Sequence, residues 1–440
     1  MNNTATPQAK QFTEPGVTIV QGDALALDLP DDSVDLVVTS PPYFGLRSYQ
    51  DGGEHYDGQI GAEATPAEFV DALIAATREM VRVTKPSGSL WVNLGDKYAG
   101  AGGGGAGSSD GATGRGTRPS RKATGIPTKS LSGIPWRYAI RCIDDLGLIL
   151  RAEVIWSKPN GLPESVKDRV RRSHETWFHF TLNPRYYSAV DEIREAHQHP
   201  HIAHTGPRSS RGEVDGNAQH LRMGLSPLGK LPGSVWTIPT EPLRVPEHLG
   251  IDHFAAFPTE WPRRIITGWS PRGVCVECGE GRRPIRGRTD DTTGAPDADA
   301  AKVFRRQDEI TLDDLRRLGK NGLRRTYDLR NAGHARNFGG EHRDRLGERV
   351  LETFGGWAER VVGMATQLYT LDGTEACACP EPTAPTTPGV VLDPFGGTGT
   401  TALVAEALGR HGISNDMSAD YCRLARWRTS DPKQRDKAAS

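Results

Sequence analysis

The feature that most constrains the fold is an apolar run at residues 390–392 that stops in a glycine-rich loop and continues in a helical pattern. The loop consists of Asp393, Pro394, Phe395, Gly396, Gly397, Thr398 and Gly399. A strand, a tight loop and a helix in this order bring backbone N–H groups and a helix N-terminus to the carboxyl edge of a sheet. Ligands bind at this edge in open α/β folds, so the segment predicts a ligand-binding loop.

Two better-known glycine loops do not fit this sequence. It lacks the Gly-Lys-Ser/Thr of a phosphate-binding Walker loop, and it lacks the third glycine of the dinucleotide fingerprint. A second acid, Asp416, ends the next predicted strand about 20 residues further on, which is the spacing of an acid that binds ribose hydroxyls. A tight turn without a ligand is the alternative, and the presence of both Asp393 and Asp416 argues against it.

The remaining pattern predicts an α/β fold. Residues 17–20, 36–39 and 89–94 are short runs rich in β-branched or apolar residues, which predict strands. Residues 66–83 carry apolar side chains at helical spacing. Strands that alternate with helices indicate parallel βαβ units, so we expect a Rossmann-like, mostly parallel sheet.

The predicted strand at residues 36–39 runs directly into Ser40, Pro41, Pro42 and Tyr43. Together with the glycine-rich loop, this string resembles the catalytic and cofactor motifs of S-adenosylmethionine-dependent DNA amino-methyltransferases. The catalytic motif comes first in the chain and the cofactor motif last, which resembles the permuted beta arrangement of that family. Both loops must face one cleft, so we expect the strands before Ser40 and Asp393 to be neighbours in the sheet. The resemblance covers residues 15–272 and 389–427, and it implies the methyltransferase fold, S-adenosylmethionine as the cofactor and double-stranded DNA as the substrate.

The resemblance also assigns cofactor-binding residues. It implies contacts from the glycine-rich loop and the following Thr400, with Asp393 receiving the ammonium group of the methionine part. Asp23 resembles the acid that contacts the adenosine, and Asp416 would accept the ribose hydroxyls. Phe257 lies in the segment whose aromatic rings flank the methionine part in the family.

The target base is indicated by one position. A serine at residue 40 resembles the cytosine-N4 version of the motif, whereas adenine-N6 members more often carry Asp or Asn there. Both bases therefore stay open, with N4 of cytosine preferred. Residues 134 through 160 are similar to the segment that lines the base pocket in the family.

Amine methylation explains why these residue types are needed. The lone pair of an exocyclic base amine is delocalised into the ring, so the nitrogen is a poor nucleophile. Ser40 Oγ and the Pro41 carbonyl can accept the amino hydrogens and draw the nitrogen toward sp3 geometry. Pro42 helps to fix the turn, and Tyr43 offers a flat face for a base extruded from the duplex. Cytosine-C5 methylation needs a thiolate, usually after proline, and the sequence has no Pro-Cys dipeptide.

Cysteines flank an arginine-rich insertion at residues 274–388. Cys275 and Cys278 form a C-x2-C knuckle, and Cys377 and Cys379 lie before the last part of the α/β pattern. Four thiolates in this arrangement predict a structural zinc site, with free thiols in a reducing compartment as the alternative. We expect the insertion and a target-recognition region at residues 160–250 to contact the DNA backbone, whereas a solvated surface would also fit the charges.

Composition sets the remaining expectations. The net charge is −1, so DNA must be bound by local basic patches. No apolar run approaches the roughly 20 residues that span a bilayer, so we expect a cytoplasmic, nucleoid-associated protein without a membrane partner. The predicted divisions are a disordered N-terminus (1–14), a catalytic part (15–273), the insertion (274–388), a cofactor-binding part (389–430) and a flexible tail (431–440).

Three other functions stay open. The first is the same enzyme acting on adenine N6. The second is a non-catalytic DNA-binding regulator with a degenerate methylase fold, against which the intact Ser40, Tyr43, Asp393 and Gly397 argue. The third is a methylase fused to a nuclease, for which no convincing motif is present. A cognate restriction endonuclease or a defence-system partner is the expected protein partner.

Overall fold

A nine-stranded mixed sheet organises the chain. The computed structural model describes residues 10–45, 50–51, 54–55, 59–99, 125–161, 163–196, 228–251, 257–288, 369–377, 379 and 384–439. Its strands are β1 (Lys10–Glu14), β2 (Val17–Gln21), β3 (Val34–Thr39), β4 (Gln50–Asp51), β5 (Glu54–His55), β6 (Thr84–Leu94), β7 (Ile149–Ser157), β8 (His174–Thr181), β9 (Val235–Thr237), β10 (Gly273–Cys275), β11 (Arg283–Arg288), β12 (Tyr369–Ala376), β13 (Thr386–Pro388), β14 (Val390–Asp393) and β15 (His411–Asp416). Its helices are α1 (Pro66–Val83), α2 (Ile134–Leu146), α3 (Glu260–Trp269), α4 (Thr400–Ala407), α5 (Ala419–Ser430) and α6 (Pro432–Ala439), with short 3-10 helices at Val190–Ile193 and Glu247–Leu249.

The strand order in the sheet is β1-β2-β15-β14-β3-β6-β8-β7-β9. Five neighbouring strands of this order run parallel, namely β2, β15, β14, β3 and β6. Strands β1 and β8 pair antiparallel with their neighbours. The late strand β14 lies beside the early strand β3, with Leu36 opposite Val391 and Val37 opposite Leu392. The predicted Rossmann-like, mostly parallel sheet is confirmed, and so is the expected adjacency of the two halves of the permuted chain.

Helix α1 shows why the local sequence folds as it does. Thr65 and Glu68 form a reciprocal capping box, and Pro66 opens the helix with a φ that suits its first turn. The buried face includes Phe69 and Leu73. Strand β6 begins directly afterwards at Thr84, earlier than the sequence predicted, because its turn-like first residues still pair with β3 through a register shift.

The sheet is buried on both faces, as parallel sheets usually are. Residues of β3 enter two different apolar clusters: Val34 and Val37 pack with α1 and α2, whereas Leu36 and Val38 pack with α3 and α4. The second cluster is rich in tryptophan, namely Trp91, Trp156, Trp177, Trp236, Trp261 and Trp269. A strand buried on both faces positions the residues at its end rigidly.

The buried acid Asp35 joins the two halves of the chain at the edge of the sheet where the parallel strands begin. The Val390 amide donates to Asp35 Oδ2 at 2.8 Å, and Lys85 Nζ donates to Asp35 Oδ1 at 2.7 Å. The start of β14 is therefore bound to β3 by a charge-assisted hydrogen bond as well as by strand pairing.

Two terminal predictions were wrong. Residues 10–14 were expected to be disordered, but they form β1, which pairs with all of β2. Without β1, the backbone N–H and C=O groups on the outer side of β2 would have no strand partner. The tail was expected to be flexible, but Pro432–Ala439 forms α6, whose Ala438 is buried in the tryptophan-rich cluster.

The chain divides into two compact units. The first comprises residues 1–193, 233–274 and 386–440 and contains the nine-stranded sheet. The second comprises residues 194–232 and 275–385, so part of the predicted recognition region groups with the insertion. Among the described residues, no helix is both long and apolar enough to span a membrane. The glycine- and serine-rich sequence of residues 99–122 and the lack of periodicity at residues 196–217 predict loops, and both segments lie almost wholly outside the described residues.

Candidate active site

The Ser-Pro-Pro-Tyr loop, residues 40–43, leaves the carboxyl end of β3 at the centre of the sheet. Thr39, the last residue of the strand, is fully buried, and Pro41 is buried as well. Ser40 and Tyr43 are half-buried. The loop therefore has a rigid base and two polar side chains that remain partly accessible.

Asn93, near the end of the neighbouring strand β6, anchors both polar side chains. The Ser40 hydroxyl donates to Asn93 Oδ1 at 3.2 Å, and the Tyr43 hydroxyl lies 2.6 Å from the same oxygen. The Asn93 amide nitrogen donates to the Thr176 carbonyl of β8 at 3.2 Å, which fixes the amide with its oxygen toward the loop. Asn93 was not predicted as a site residue, because in the sequence it stands only as the last polar residue of an apolar strand.

Tyr43 also faces an acid on β8. Its hydroxyl lies 2.7 Å from Glu175 Oε2, while the second oxygen of Glu175 pairs with Lys158. A phenol has one hydrogen, so it can donate to either Asn93 or Glu175 at one time. The ammonium of Lys158 lies 4.0 Å above the ring of Trp156, within the range of a cation–π contact. Lys158 belongs to the segment that the sequence analysis compared with a base pocket.

Gly95 fits against the ring of Tyr43. A Cβ at this position would lie 2.6 Å from Tyr43 Cε2 and 2.9 Å from Cδ2. Only a residue without a side chain allows the ring to occupy this place. The turn after β6 therefore sets the orientation of the tyrosine, a constraint that the sequence did not predict.

Asp393, the last residue of β14, is buried and stabilises the glycine-rich loop (residues 393–399) by hydrogen bonds. Its Oδ1 accepts hydrogen bonds from the Thr39 hydroxyl at 2.6 Å and the Phe395 amide at 3.2 Å, and its Oδ2 accepts one from the Thr401 hydroxyl at 2.9 Å. Burial raises the pKa of this carboxyl to about 6, although the hydrogen bonds to Thr39, Thr401 and Phe395 oppose the shift. Three donors occupy most of the roughly four lone-pair positions of the carboxylate.

Glycines shape the loop in two ways. Gly396 and Gly399 admit close neighbours, since a Cβ there would lie 1.9 Å from Ser414 Oγ and 2.9 Å from the Ala425 Cβ. Gly397 has a φ of +50° and is half-buried, and the nearest atom to a Cβ built there is 3.9 Å away. The loop thus packs tightly at both ends and leaves room at its middle for a ligand to approach the backbone.

Asp416 at the end of β15 closes the other side of the loop. Its Oδ2 accepts the Gly397 amide at 2.9 Å, and its Oδ1 accepts the Ser418 amide at 2.9 Å. The backbone of Asp416 accepts the Gly22 amide at 3.0 Å, which brings Asp23 on the turn after β2 to the same edge. Asp23 Oδ1 accepts the Leu25 amide at 2.9 Å. The structure therefore brings together the three acids that the sequence assigned to one ligand.

Arg428 on α5 stabilises the C-terminal end of the glycine-rich loop. It is buried, and its Nη1 donates to the hydroxyls of Thr398 at 2.7 Å and Thr400 at 2.6 Å. Burial lowers its pKa to about 10, so the guanidinium is still charged at neutral pH. A lone arginine near the end of a helix carries no sequence signal for this role.

The structure also describes Phe257 and the four cysteines, which the sequence assigned to the cofactor and to a metal. The ring of Phe257 packs edge-on against Trp177 at a centroid distance of 5.8 Å and is half-buried. Cys275, Cys278, Cys377 and Cys379 converge in the second unit, with all four Sγ atoms within 4.8 Å of one another. The ligand contacts assigned to Phe257, Asp23, Asp393, Asp416 and the loop residues stay predictions.

An open α/β sheet that brings a glycine-rich loop and a Ser-Pro-Pro-Tyr loop to one edge defines the Rossmann-like methyltransferase class. The N6/N4 methyltransferase family, described as DNA methylase, matches residues 34–276 and 383–426. The chain belongs to this DNA methylase family.

Two Type II methyltransferases agree with the family assignment. The Type II methyltransferase M.Cfr9I of Citrobacter freundii is 36% identical over 265 residues, which cover 59% of this chain and 75% of the relative. The Type II methyltransferase M.SmaI of Serratia marcescens is 35% identical over 264 residues, or 59% and 77% of the two chains. A solved structure of the PvuII DNA methyltransferase (cytosine-N4-specific) aligns with 96% of this chain and 90% of that chain, at 17% identity and a TM-score of 0.47.

Proposed function

We propose that this DNA methyltransferase transfers a methyl group from S-adenosylmethionine to the N4 amine of cytosine in double-stranded DNA after base flipping. The observation that carries the proposal is the hydrogen bond between Thr39 and Asp393. It joins the ends of two adjacent parallel strands, so the Ser-Pro-Pro-Tyr loop and the glycine-rich loop open at one edge of the sheet. A transfer between two ligands needs this arrangement, because the donor and the acceptor must meet.

The cofactor site is supported by the shape of the glycine-rich loop. Around Gly397 there is space beside the backbone, and Asp416 and Asp23 lie on the two adjoining turns. Asp416 would accept the ribose hydroxyls, Asp23 would contact the adenosine, and Phe257 would flank the methionine part. The remaining lone-pair position of Asp393 would accept the ammonium group.

The chain's own residues would prepare the amine. Bound S-adenosylmethionine supplies an electrophilic methyl group on a sulfonium, so the transfer needs no metal. The Ser40 hydroxyl donates to Asn93, which leaves the lone pairs of Ser40 Oγ directed away from Asn93 and able to accept an amine hydrogen. The Pro41 carbonyl would accept the other hydrogen. Both contacts would turn the nitrogen lone pair out of conjugation and toward the methyl group. The N–C bond would form as the carbon–sulfur bond breaks, so the sulfur would leave as a neutral thioether and the methylated nitrogen would release one proton.

Tyr43 would hold the flipped base. Its ring is oriented by Gly95, Asn93 and Glu175, so the face that would stack on the base is set before DNA binds. A preorganised face reduces the ordering cost when the base leaves the duplex.

Cytosine is proposed as the target because residue 40 is serine. Adenine N6 is the second candidate, since the same contacts can accept either amine. The relatives named Type II methyltransferases support a role beside a restriction endonuclease, on chromosomal DNA in the cytoplasm. Residues 160–250 and the insertion are proposed to contact DNA, and any zinc on the four cysteines would have a structural role.

Nucleoside mass spectrometry on DNA from cells that express the chain tests the proposal. N4-methylcytosine is expected with the intact chain and is expected to be absent with Ser40→Ala, while Ser40→Ala still binds S-adenosylmethionine in calorimetry. N6-methyladenine would overturn the base assignment and keep the fold and mechanism. An intact, cofactor-binding chain that leaves neither mark on DNA carrying many candidate sequences would favour the regulator.

A further inference from the structure

Four cysteines of the second unit lie close enough to bind one metal ion. Each Sγ of Cys275, Cys278, Cys377 and Cys379 is within 4.8 Å of the other three. A tetrahedral zinc ion with bonds of about 2.3 Å holds its thiolates about 3.8 Å apart, so a small inward movement of the side chains completes the geometry. Iron–sulfur clusters hold their cysteines further apart, because several metal and sulfide ions lie between them.

The backbone around the first pair has the form of a metal knuckle. The Gly279 amide donates to the Cys275 carbonyl at 2.9 Å, and the Cys275 amide donates to the Glu280 carbonyl at 2.9 Å. Gly279 has a φ of +71°, a left-handed conformation that lets the chain reverse directly after Cys278. The turn therefore directs two thiols, spaced by two residues, to the same point.

The second pair reaches the same point through a β-ribbon. Strands β11 and β12 pair antiparallel, and Arg283 lies opposite Ala376. Ala376 directly precedes Cys377, and Arg283 follows shortly after Cys278. The cysteines therefore stand at the base of the ribbon, where its two strands come together.

The described apolar packing around the cysteines consists largely of the cysteines themselves. In the described part of the second unit, the buried apolar cluster comprises only Cys275, Cys379 and Ala384, with Cys377 packed against it. The cysteines make up most of this described cluster and none of the four is in a disulfide, so a metal ion bound to them would join the two strands directly. We propose that Cys275, Cys278, Cys377 and Cys379 bind one structural Zn²⁺ that closes the base of the β11–β12 ribbon.

Metal analysis of the full-length protein, purified under reducing conditions without chelator, tests the site. We expect about one zinc per chain in the wild type and almost none in the double variant Cys278→Ser/Cys377→Ser. The matched control is Cys142→Ala, which removes a buried thiol of α2 in the other unit and is expected to keep the zinc. Cobalt(II) added to the metal-free wild type should give the visible spectrum of a tetrahedral tetrathiolate site.

Hydrogen exchange tests the structural role. Amides of β11 and β12 should exchange at least about tenfold faster after zinc removal, whereas those of β3 and β14 should be unchanged. Three outcomes would each overturn the site: iron in place of zinc, no bound metal in the wild type, or zinc retained by the double variant. Unchanged exchange in a zinc-free ribbon would overturn its role. These readouts need neither DNA nor S-adenosylmethionine, so they stand or fall independently of methylation.

Discussion

The Thr39 hydroxyl donates to Asp393 Oδ1 at 2.6 Å, although the two residues are 354 positions apart in the sequence. Both side chains are buried, and each stands at the carboxyl end of its strand. Thr401, on the helix after the glycine-rich loop, donates to the other oxygen of the same carboxylate. One buried acid thus fixes the spacing between the loop assigned to the base and the loop assigned to the cofactor.

Replacement of Thr39 by valine should destabilise the fold by about 1–3 kcal/mol, because it removes a buried donor to a carboxylate and keeps the side-chain shape. The control is Thr84→Val, another fully buried threonine, whose hydroxyl donates only to the Met80 carbonyl. The free energy of unfolding in urea should fall more in Thr39→Val than in Thr84→Val. Equal losses would mean that the charge of Asp393 adds nothing to the contact.

Cofactor affinity should depend on pH through Asp393. Burial raises its pKa to about 6, so the carboxyl is protonated below that pH and can no longer attract an ammonium group. Affinity for S-adenosylmethionine, measured by calorimetry, should therefore fall as the pH drops through 6, by up to about tenfold per pH unit. Asp393→Asn keeps one acceptor oxygen but has no charge. This variant should bind S-adenosylmethionine weakly at every pH, and its affinity should not change as the pH drops through 6. A wild-type affinity that does not change with pH would refute the ammonium contact.

Gly95→Ala should impair turnover without affecting cofactor binding. The added Cβ would lie 2.6 Å from the Tyr43 ring, so the ring must move away from its place. Misplacement of a positioning residue by about 1 Å can lower the rate roughly 100-fold, and we expect kcat to fall by about 10- to 100-fold. The control is Gly233→Ala, where no atom lies within 4 Å of the new Cβ. Single-turnover methylation should separate the two variants, and similar rates for both would show that Tyr43 tolerates displacement.

Arg428→Met should weaken cofactor binding by about tenfold or more, because it removes charged hydrogen bonds to Thr398 and Thr400 and leaves the loop less ordered. Arg423→Met is the control on the same helix, since the exposed side chain of Arg423 makes only a surface ion pair with Asp420 among the contacts described for it. The dissociation constant for S-adenosylmethionine should rise only in Arg428→Met. An unchanged constant would mean that α4 and Asp393 alone hold the loop.

Regular patterns in the sequence determined the elements and their order. The apolar face of α1 and the β-branched run of β3 predicted their structures because each depends on neighbours within a few residues. The two loop motifs predicted that β3 and β14 would be adjacent, because only that arrangement brings both loops to one edge. The four cysteines were also predicted to meet, from their spacing and residue type alone.

Only the tertiary structure decided which other residues complete the site. Asn93, Glu175, Gly95 and Arg428 stand in unremarkable local sequence and act through partners on other strands or helices. The strand β1 and the helix α6 were likewise missed, since their stability comes from a sheet edge and an apolar cluster formed elsewhere in the chain. Sequence patterns report interactions between near neighbours, whereas a buried hydrogen bond such as that between Thr39 and Asp393 exists only after the fold has brought distant residues together.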